Sequence, residues 1–506
     1  MFDTTQPGPL APGAAVIEEL LERRCPTETP ESAAMIERIA ASARQENRAA
    51  ASRLVAIGDL FAYRLSRCTE SEDWAVDTTE AVAAEVAAAL RISQGLAVNT
   101  LGYARALRER LPRVGAAFIA GDIDFATFRM LVYRTDLLTD PDVVATVDAE
   151  LAVKVPRWSS MSRGRQTAAV DRIVSRRDPD AVRRRNNTAA EQEVWVSQRL
   201  DGLADVGGTV RSVDGIALDA RLSALAATVC DHDPRSQQTR RSDAIGALVA
   251  GADRLACLCG RADCPAADAP TASPVMIHVV AEQATIEGRS DTPAAVIGSD
   301  AVIAPEVLAE LVGVARRRPL INPGDAPAES GYVPSRVLAD FVRYRDMTCR
   351  FPGCDKPAFG CDMDHTIAHA DGGPTQASNL KCLCRLHHLV KTFGSWRDQQ
   401  LRDGTVIWTS PAGCTYVTHP GSALLFPSLC APTAEAVAAG VPDDRRAART
   451  AMMPRRTRTR AQNRAARIAA ERRDNRRARQ TSRRTNYDVY FGGSRPPPDD
   501  DDPPPF

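Results

Sequence analysis

Apolar residues recur every three or four positions from about residue 31 to residue 113, which is the spacing of one face of an α-helix. The stripes are Ile36 and Ile39, then Leu54, Ile57 and Phe61, then Val82 and Val86. Two more helices are predicted over 122–134 and 141–155, the second with Asp140 as its N-cap and proline at its first position. The first part of the chain is therefore predicted to be a multi-helix domain.

Strand-like alternation appears in short runs after this helical region. Residues 193–200 and 208–213 alternate and are joined by a glycine-containing stretch, so they predict a β-hairpin with a longer loop. A third strand is predicted over 274–281, and further helices are predicted over 214–229 and 242–255. The fold class is thus mainly α with small β elements.

Changes in composition divide the chain into segments. Residues 1–30 are rich in Pro, Gly and Thr and are predicted to be a flexible leader, while 31–318 form the helical domain with its hairpin. A Pro- and Gly-rich linker over 319–333 precedes a compact unit over 334–420. The segment 441–506 is Arg-rich and then Pro- and Asp-rich, with too few apolar residues to fold alone, so we expect a disordered tail.

The net charge is zero, with 64 basic and 64 acidic residues, but the charges are unevenly distributed. Between Arg445 and Arg484 there are sixteen arginines and two acidic residues. So many guanidinium groups can displace phosphate counterions, which predicts nucleic-acid binding; a solvated extension is the alternative. No run approaches the ~18 apolar residues of a membrane span, and the first residues lack a basic and apolar signal. We therefore expect a cytoplasmic protein that binds no membrane.

Cysteine and histidine cluster in the compact unit. Five of the thirteen cysteines and four of the seven histidines lie in residues 349–388. Cys349 and Cys354 form one knuckle, Cys384 and His387 form another, and two such knuckles can close a tetrahedral site for a structural Zn²⁺. A unit of two strands and a helix has little core, so the metal would supply folding free energy. Two neighbouring cysteines could compete for a ligand position, namely Cys361 and Cys382.

A second group of cysteines lies in the helical domain. Cys257, Cys259 and Cys264 offer three thiols within eight residues. A second structural zinc is one interpretation, with Cys230 or His278 as the fourth ligand. Free thiols in a loop are the other, and the spacing does not choose between them.

The residues between the two knuckles have no place in a purely structural zinc site. They comprise Asp364 and His365, Gly372 and Gly373, Asn379, and His388 beside His387. Together with the knuckles they resemble the HNH endonuclease family over about 345–395, although many relatives have cysteine where this chain has His387. The resemblance implies a carboxyl-terminal ββα-metal nuclease domain, in which a β-hairpin and a helix surround one catalytic divalent ion.

The same resemblance implies a role for each residue of the motif. His365 would be the general base that takes a proton from the attacking water, and Asn379 would fix the loop that orients it. Asp364 and His388 would hold the catalytic ion, Mg²⁺, Mn²⁺ or Zn²⁺, which polarises the scissile phosphate. Lys391 would contact phosphate, with a solvated lysine as the alternative.

The layout of the whole chain resembles a second family. The segments ALRISQGLA, LPRVGAAFIAGDID, LACLCGRADCPA and CRFPGC are similar to the actinobacterial (mycobacterial) thirteen-E-twelve repeat family. That resemblance implies an N-terminal helical domain of unknown function ahead of an HNH module, and an association with repeated genomic elements.

These features together predict a metal-dependent HNH endonuclease that hydrolyses phosphodiester bonds in DNA, which we expect to be double-stranded. The alternative is a non-catalytic, zinc-dependent DNA-binding or regulatory protein of a repeated genomic element, for which the zinc ligands alone would be enough. A protein that binds or cleaves RNA is a third class. The sequence identifies no protein partner.

Overall fold

The computed structural model describes residues 29–67, 72–158, 161–183, 193–199, 203–210, 212–264, 266, 278–297, 302–313, 315–438 and 452–491. Within these ranges the chain is mainly helical with small sheets, as the hydrophobic pattern predicts. The helices are α1 (Pro30–Leu65), α2 (Thr78–Leu90), α3 (Gln94–Arg105), α4 (Pro112–Ala120), α5 (Phe125–Thr135), α6 (Pro141–Lys154), α7 (Arg163–Arg177), α8 (Ser212–Ala226), α9 (Gln237–Val249), α10 (Gln283–Ile286), α11 (Pro305–Val312), α12 (Arg336–Asp346), α13 (Arg385–Phe393) and α14 (Arg460–Phe491). The strands are β1 (Glu193–Gln198), β2 (Ala204–Thr209), β3 (Val279–Val280), β4 (Ala294–Val296), β5 (Val302–Ile303), β6 (Cys361–His365), β7 (Leu380–Cys384), β8 (Arg397–Gln400), β9 (Val406–Thr409) and β10 (Thr415–Thr418).

The described residues form two compact units that interleave along the sequence. The helical unit takes the described parts of Met1–Thr69, Val98–Arg183 and Arg458–Phe506, and the mixed unit takes those of Glu70–Ala97 and Arg184–Thr457. Within the predicted domain over 31–318, the described parts of 70–97 and 184–318 cluster instead with residues of the predicted nuclease domain. The predicted leader lies outside the described residues except for its last two positions.

Helix α1 shows where the hydrophobic pattern predicts burial and where it does not. Leu54, Ile57 and Phe61 are buried, whereas Ile36 and Ile39 are exposed by 65% and 64%. At about 1.5 Å per residue, a 36-residue helix extends far beyond the short helices α4 and α5 that pack on it. The stripe at the start of α1 therefore predicts the helix correctly, but its side chains lie on the surface.

Short helices in the helical unit are capped by carboxylates from their own sequence or from a neighbour. The Asp140 side chain accepts the first free N–H groups of α6, as predicted. Helix α4 has no capping side chain at its own Leu111, and buried Asp148 of α6 accepts the N–H groups of Arg113 and Val114 at 2.9 and 3.0 Å. This bond fixes α4 against α6.

The prediction of a wholly disordered tail is wrong, since residues 460–491 form α14. Ile468 is buried, and the buried Asn475 amide donates to the carbonyl oxygens of Asp180 and Val182, both at 2.9 Å. Residues 439–451 and 492–506 of the predicted tail lie outside the described residues. A helix with almost no apolar face is thus held by a few specific contacts in the helical unit.

Several arginines of α14 face carboxylates of the same unit. Arg464 is 2.6 Å from Asp136, and Arg472 is 2.6 Å from Asp178. Burial alone would raise the pKa of Asp180, but the guanidinium groups of Arg479 and Arg476 hold it below its ordinary value. Part of the positive charge that predicted nucleic-acid binding is therefore engaged inside the protein.

The mixed unit contains small antiparallel sheets. Strands β3, β4 and β5 form one in that order, β8, β9 and β10 form another, and β6 pairs with β7. The predicted hairpin is present as β1 and β2, but its second strand is Ala204–Thr209 rather than 208–213. Its apolar side chains, including Trp195, are exposed.

The main core of the mixed unit joins segments that are distant in sequence. Val76 and Ala84 pack with Phe341 of α12 and with Trp408 of β9 in one buried cluster. Gly353, between the first two predicted zinc ligands, has φ +76°, and a Cβ there would lie 2.6 Å from the Ile92 carbonyl oxygen. The first knuckle is therefore pressed against the backbone of the segment 70–97.

The predicted linker over 319–333 is not a free connection. Glu329 pairs by a β-bridge with Thr375, and its carboxylate accepts the N–H and hydroxyl of Ser335. Asn322 donates to the carbonyl of Ala431 at 3.0 Å. The Pro- and Gly-rich composition allows this segment to lie along the surface of the mixed unit, where it covers part of the core.

No single helix among the described ranges has the length and apolar composition to span a membrane, although α2 together with Gln94–Arg110 meets those criteria across a bend of 108°.

Replacing Asn475 with alanine should loosen α14. The carbonyls of Asp180 and Val182 would lose this donor, so we expect the free energy of unfolding of the helical unit to fall by about 1–3 kcal/mol. Hydrogen exchange over residues 460–481 should accelerate. Arg473→Ala, at an exposed position of the same helix, is the matched control. Equal exchange in N475A and the parent protein would contradict the docking described here.

Candidate metal centre and active site

The candidate site is built on the hairpin of β6 and β7 and on helix α13, which begins directly after β7. In the hairpin Asp364 lies opposite Lys381, and His365 lies opposite Leu380. Strand β7 is buried along its whole length, so its polar side chains must find partners inside the protein. The order strand, strand, helix thus brings the ends of β6 and β7 together with the first turns of α13.

The four predicted zinc ligands meet at one point. The sulfurs of Cys349, Cys354 and Cys384 and a ring nitrogen of His387 all lie within 4.8 Å of one another. His387 Nδ1 is 3.4 Å from the Cys384 sulfur and 3.6 Å from the Cys349 sulfur. The Phe351 ring stacks on the imidazole with centroids 4.1 Å apart and so fixes its orientation. This cluster could bind a metal ion, and its donors match a tetrahedral site.

The three thiols of this cluster have their pKa values shifted in different directions. Burial raises the pKa of the Cys349 thiol, and a hydrogen bond with Cys349 raises the pKa of the Cys354 thiol. Hydrogen bonds from Cys349 and Cys354 lower the pKa of the Cys384 thiol. Three thiols this close cannot all ionise alone, because each thiolate repels the next. A divalent cation removes that repulsion, so the donors present fit a metal.

The two competing cysteines are not part of the cluster. The Cys361 thiol donates to the carbonyl oxygen of Pro357 at 3.3 Å. Cys382 is fully buried, and burial raises the pKa of its thiol well above the ordinary value. Neither belongs to the group of four whose donor atoms converge.

Asp364 and His388 also approach each other. The distance from Asp364 Oδ1 to His388 Nε2 is 3.5 Å. This is long for a hydrogen bond and suits two neighbouring ligands of one ion with bonds of about 2.1 Å. The pair could therefore supply two ligands to a divalent cation.

Asp362 is a site residue to which the sequence reasoning assigned no role. Its Oδ2 lies 2.9 Å from His388 Nδ1, so Asp362 orients the imidazole whose other nitrogen faces Asp364. Carboxylates commonly hold metal-binding histidines in this way. The signal was present, because residues two apart on a strand such as Asp362 and Asp364 point to the same face.

The Lys391 ammonium group faces carboxylates rather than open solvent. Its ammonium group lies 2.7 Å from Asp364 Oδ2 and donates to the carbonyl oxygen of His365 at 2.6 Å. Asp398 lies 3.4 Å away. Lys391 is therefore not a solvated lysine, and its ammonium group is paired with two carboxylates at the wall of the site.

Lys381 completes a buried network of charges. Its side chain is fully buried, and its ammonium group lies 2.6 Å from Asp364 and 2.5 Å from Asp398. Burial alone would lower the pKa of Lys381 and raise that of Asp364, but the opposite charges shift both the other way. Asp364 is thus ionised, with Oδ2 committed to lysines and Oδ1 directed at His388.

His365 lies in a confined position beside Asp364. Its Nε2 is 3.0 Å from the Thr375 hydroxyl, and the Tyr332 ring stacks over it with centroids 5.3 Å apart. Only 6% of the residue is exposed. Burial, with the neighbouring His369, lowers the pKa of His365 to about 4, so the imidazole is neutral at pH 7.

Asn379 ties the loop between β6 and β7. Its side chain accepts the Ile367 N–H at 2.8 Å and donates to the carbonyl oxygens of Ile367 and Pro374 at 3.1 and 2.8 Å. Asn379 is fully buried, so all these bonds are shielded from water. The loop that follows His365 is therefore held in one shape.

The second group of cysteines also converges. The sulfurs of Cys257, Cys259 and Cys264 meet that of Cys230, and all four lie within 4.8 Å of one another. His278, the other candidate for the fourth ligand, is instead hydrogen-bonded to Tyr344 at 3.0 Å.

Comparison with known proteins identifies a family. A family model described as "Domain of unknown function (DUF222)" matches residues 41–346. The match ends just before Cys349, so the Cys/His cluster and the residues beside it lie outside the matched range. No solved structure matches the chain.

The similar curated proteins come from Mycobacterium tuberculosis. The uncharacterized protein Rv3776 is 42% identical over 469 residues, which cover 87% of this chain and 90% of that protein. The uncharacterized protein Rv2100 is 41% identical over 510 residues, covering 92% of each. A third, described as an uncharacterized protein in the est 3′ region, is 36% identical over 62% of this chain and 96% of its own length.

Proposed function

This chain belongs to the DUF222 family, and from the geometry of its carboxyl-terminal part we propose that it is a metal-dependent HNH endonuclease, which hydrolyses phosphodiester bonds in double-stranded DNA in the cytoplasm. One observation carries the proposal. Asp364 Oδ1 and His388 Nε2 face each other at 3.5 Å directly beside His365. A site that served structure alone would have no use for this pair in addition to the Cys/His cluster.

The residues of the chain would divide the work as follows. Asp364 and His388 would hold the divalent ion, with Asp362 orienting His388. When bound, that ion supplies Lewis-acid stabilisation of negative charge on the phosphate. His365 would accept the proton of the attacking water through the ring nitrogen that Thr375 leaves available, because the imidazole is uncharged. Asn379 would keep the following loop, and hence the imidazole, in position.

Zinc in the Cys349 cluster is the structural part of the proposal. The cluster lies between α12 and α13 and fixes where α13 begins, so it also determines where His388 stands. The sulfur-rich donor set favours Zn²⁺ over Mg²⁺ or Ca²⁺, which prefer oxygen. The resemblance to the thirteen-E-twelve repeat family supports this arrangement and suggests a link to repeated genomic elements.

A second candidate function has its own support. Tyr332 covers His365, and Lys381 and Lys391 already neutralise Asp364. These contacts favour a zinc-dependent DNA-binding or regulatory protein that keeps the fold without catalysis. The two candidates differ in whether the chain nicks DNA in the presence of a divalent ion.

Replacing His365 with alanine tests the catalytic proposal. A nicking assay on supercoiled plasmid, with Mg²⁺, Mn²⁺ or EDTA, should show metal-dependent cleavage by the parent protein and a loss of about 10²–10⁴-fold in H365A. Zinc content and circular dichroism should be unchanged, because His365 is not a ligand of the Cys/His cluster. His419→Ala is a histidine control in the same unit. DNA binding without nicking by the parent protein would favour the second candidate.

Replacing Asp362 with asparagine tests whether this carboxylate orients the His388 imidazole for metal binding. We expect the divalent-ion concentration for half-maximal cleavage to rise about 10–100-fold, because His388 loses the carboxylate that orients it. The zinc content should stay the same. Asp355→Asn, at an exposed position, is the matched control. An unchanged metal requirement in D362N would remove Asp362 from this role.

Replacing Cys349 with serine tests the structural zinc. We expect the zinc content to fall by one ion per chain and residues 334–438 to become sensitive to protease, since binding and folding free energies are coupled at about 10 kcal/mol or more in small zinc modules. Cys382→Ser, also buried but outside the cluster, is the control. Unaltered zinc content in C349S with native protease resistance would argue against the site.

A further inference from the structure

We infer that Cys230, Cys257, Cys259 and Cys264, the four-cysteine cluster, bind a second zinc ion that holds the region of α8 and α9 together. The four sulfurs converge within 4.8 Å, although Cys230 is separated by 27 residues from the nearest of the others. This site is independent of the proposed nuclease site and requires nothing of it.

The distances between the sulfurs suit a metal rather than a disulfide. Cys230 and Cys257 are 3.5 Å apart, sulfur to sulfur, and all four cysteines are free thiols. Sulfurs on one tetrahedral zinc stand about 3.8 Å apart when each Zn–S bond is about 2.3 Å. A disulfide would need about 2.05 Å. Thiols attract one another only weakly, so their convergence calls for an ion.

The backbone around the cluster is arranged by contacts that do not depend on the thiols. Buried Asp233 accepts the N–H of Leu258 at 2.9 Å and so joins the segment after Cys230 to the segment that carries the other three cysteines. Gly260 takes φ +68°, which lets the chain turn between Cys259 and Cys264. These bonds preorganise the loop for four ligands.

The surroundings also suit thiolate charge. The Ala266 N–H points at the Cys264 sulfur at 3.4 Å, and such N–H groups stabilise metal-bound thiolates. Arg261 lies in the same loop, between Cys259 and Cys264, and its guanidinium group is 3.0 Å from the Asp263 carboxylate. Four thiolates leave a zinc site with excess negative charge, which a neighbouring cation offsets.

A cross-link is needed here because the local core is small. Among the described residues, the buried apolar cluster of this region consists of Leu225, Ala244, Ala247, Ala252 and Leu255. Three of the five are alanines, which bury little apolar area. A pair of helices with so small a core gains most of its fixed geometry from a bound metal.

Metal analysis of the full-length protein and its variants tests the site. We expect Cys230→Ser to lose one zinc per chain relative to the parent protein, while Cys414→Ser, which removes an exposed cysteine, loses none. The loss should be additive with that in C349S, since the clusters share no ligand. With cobalt substituted for zinc, the C349S protein should show the strong thiolate-to-metal absorption of a tetrahedral sulfur site.

Alkylation of the parent protein covers the case in which C230S fails to fold. Iodoacetamide should label all four cysteines more slowly than Cys414, and a strong chelator should remove that protection. A zinc content unchanged in folded C230S would overturn the proposal. So would labelling of the four at the rate of Cys414 before chelation, or a disulfide found among them. An iron-type visible spectrum in the purified protein would overturn the assignment to zinc.

Discussion

Lys381 is buried without access to water, and the carboxylates of Asp364 and Asp398 are what make that burial tolerable. Asp364, Lys381 and Asp398 lie on β6, β7 and β8, respectively. The charge network therefore fixes the β6–β7 hairpin against the sheet of β8, β9 and β10. Lys391 brings α13 into the same network. Removal of one charged residue of this network would leave another buried charge uncompensated. The network therefore holds the hairpin, β8 and α13 in fixed relative positions. The position of Asp364, and hence of anything that it binds, follows from this constraint.

The cysteine, histidine and aspartate residues of the candidate site could be predicted, because the residues that they contact are close to them in sequence. The Cys/His cluster and the hairpin that carries Asp364 and His365 are encoded within about fifty residues, and ligand spacing alone limits how they can meet. The ion pair of Lys391 with Asp398 could not be predicted, because Asp398 lies beyond the motif and nothing in the spacing shows that it returns to the site. The role of Asp362 was left open, although the alternation of side chains along a strand places it on the same face as Asp364.

Helix α14 could not be predicted from its own sequence. Its arginines offer no apolar face, and composition of that kind usually indicates a solvated segment. The partners that order it, such as Asp136 and Asp180, lie about three hundred residues earlier in the chain. The same difficulty affects domain boundaries, since the units are assembled from segments that alternate along the sequence. The composition of a segment indicates whether that segment would fold in isolation, whereas these segments are ordered by contacts with distant parts of the chain.

The contact of Gly353 with the Ile92 carbonyl has a consequence for how such a protein can evolve. A domain that is shuffled between genes must carry its whole interior with it. Here the first knuckle rests on backbone from the segment 70–97, and Val76 and Ala84 fill the same core. A recombination event that joined residues 334–438 to a different amino-terminal partner would leave a cavity and an exposed glycine turn. The two parts of the chain are therefore expected to be inherited as one piece, with substitutions on either side compensated on the other.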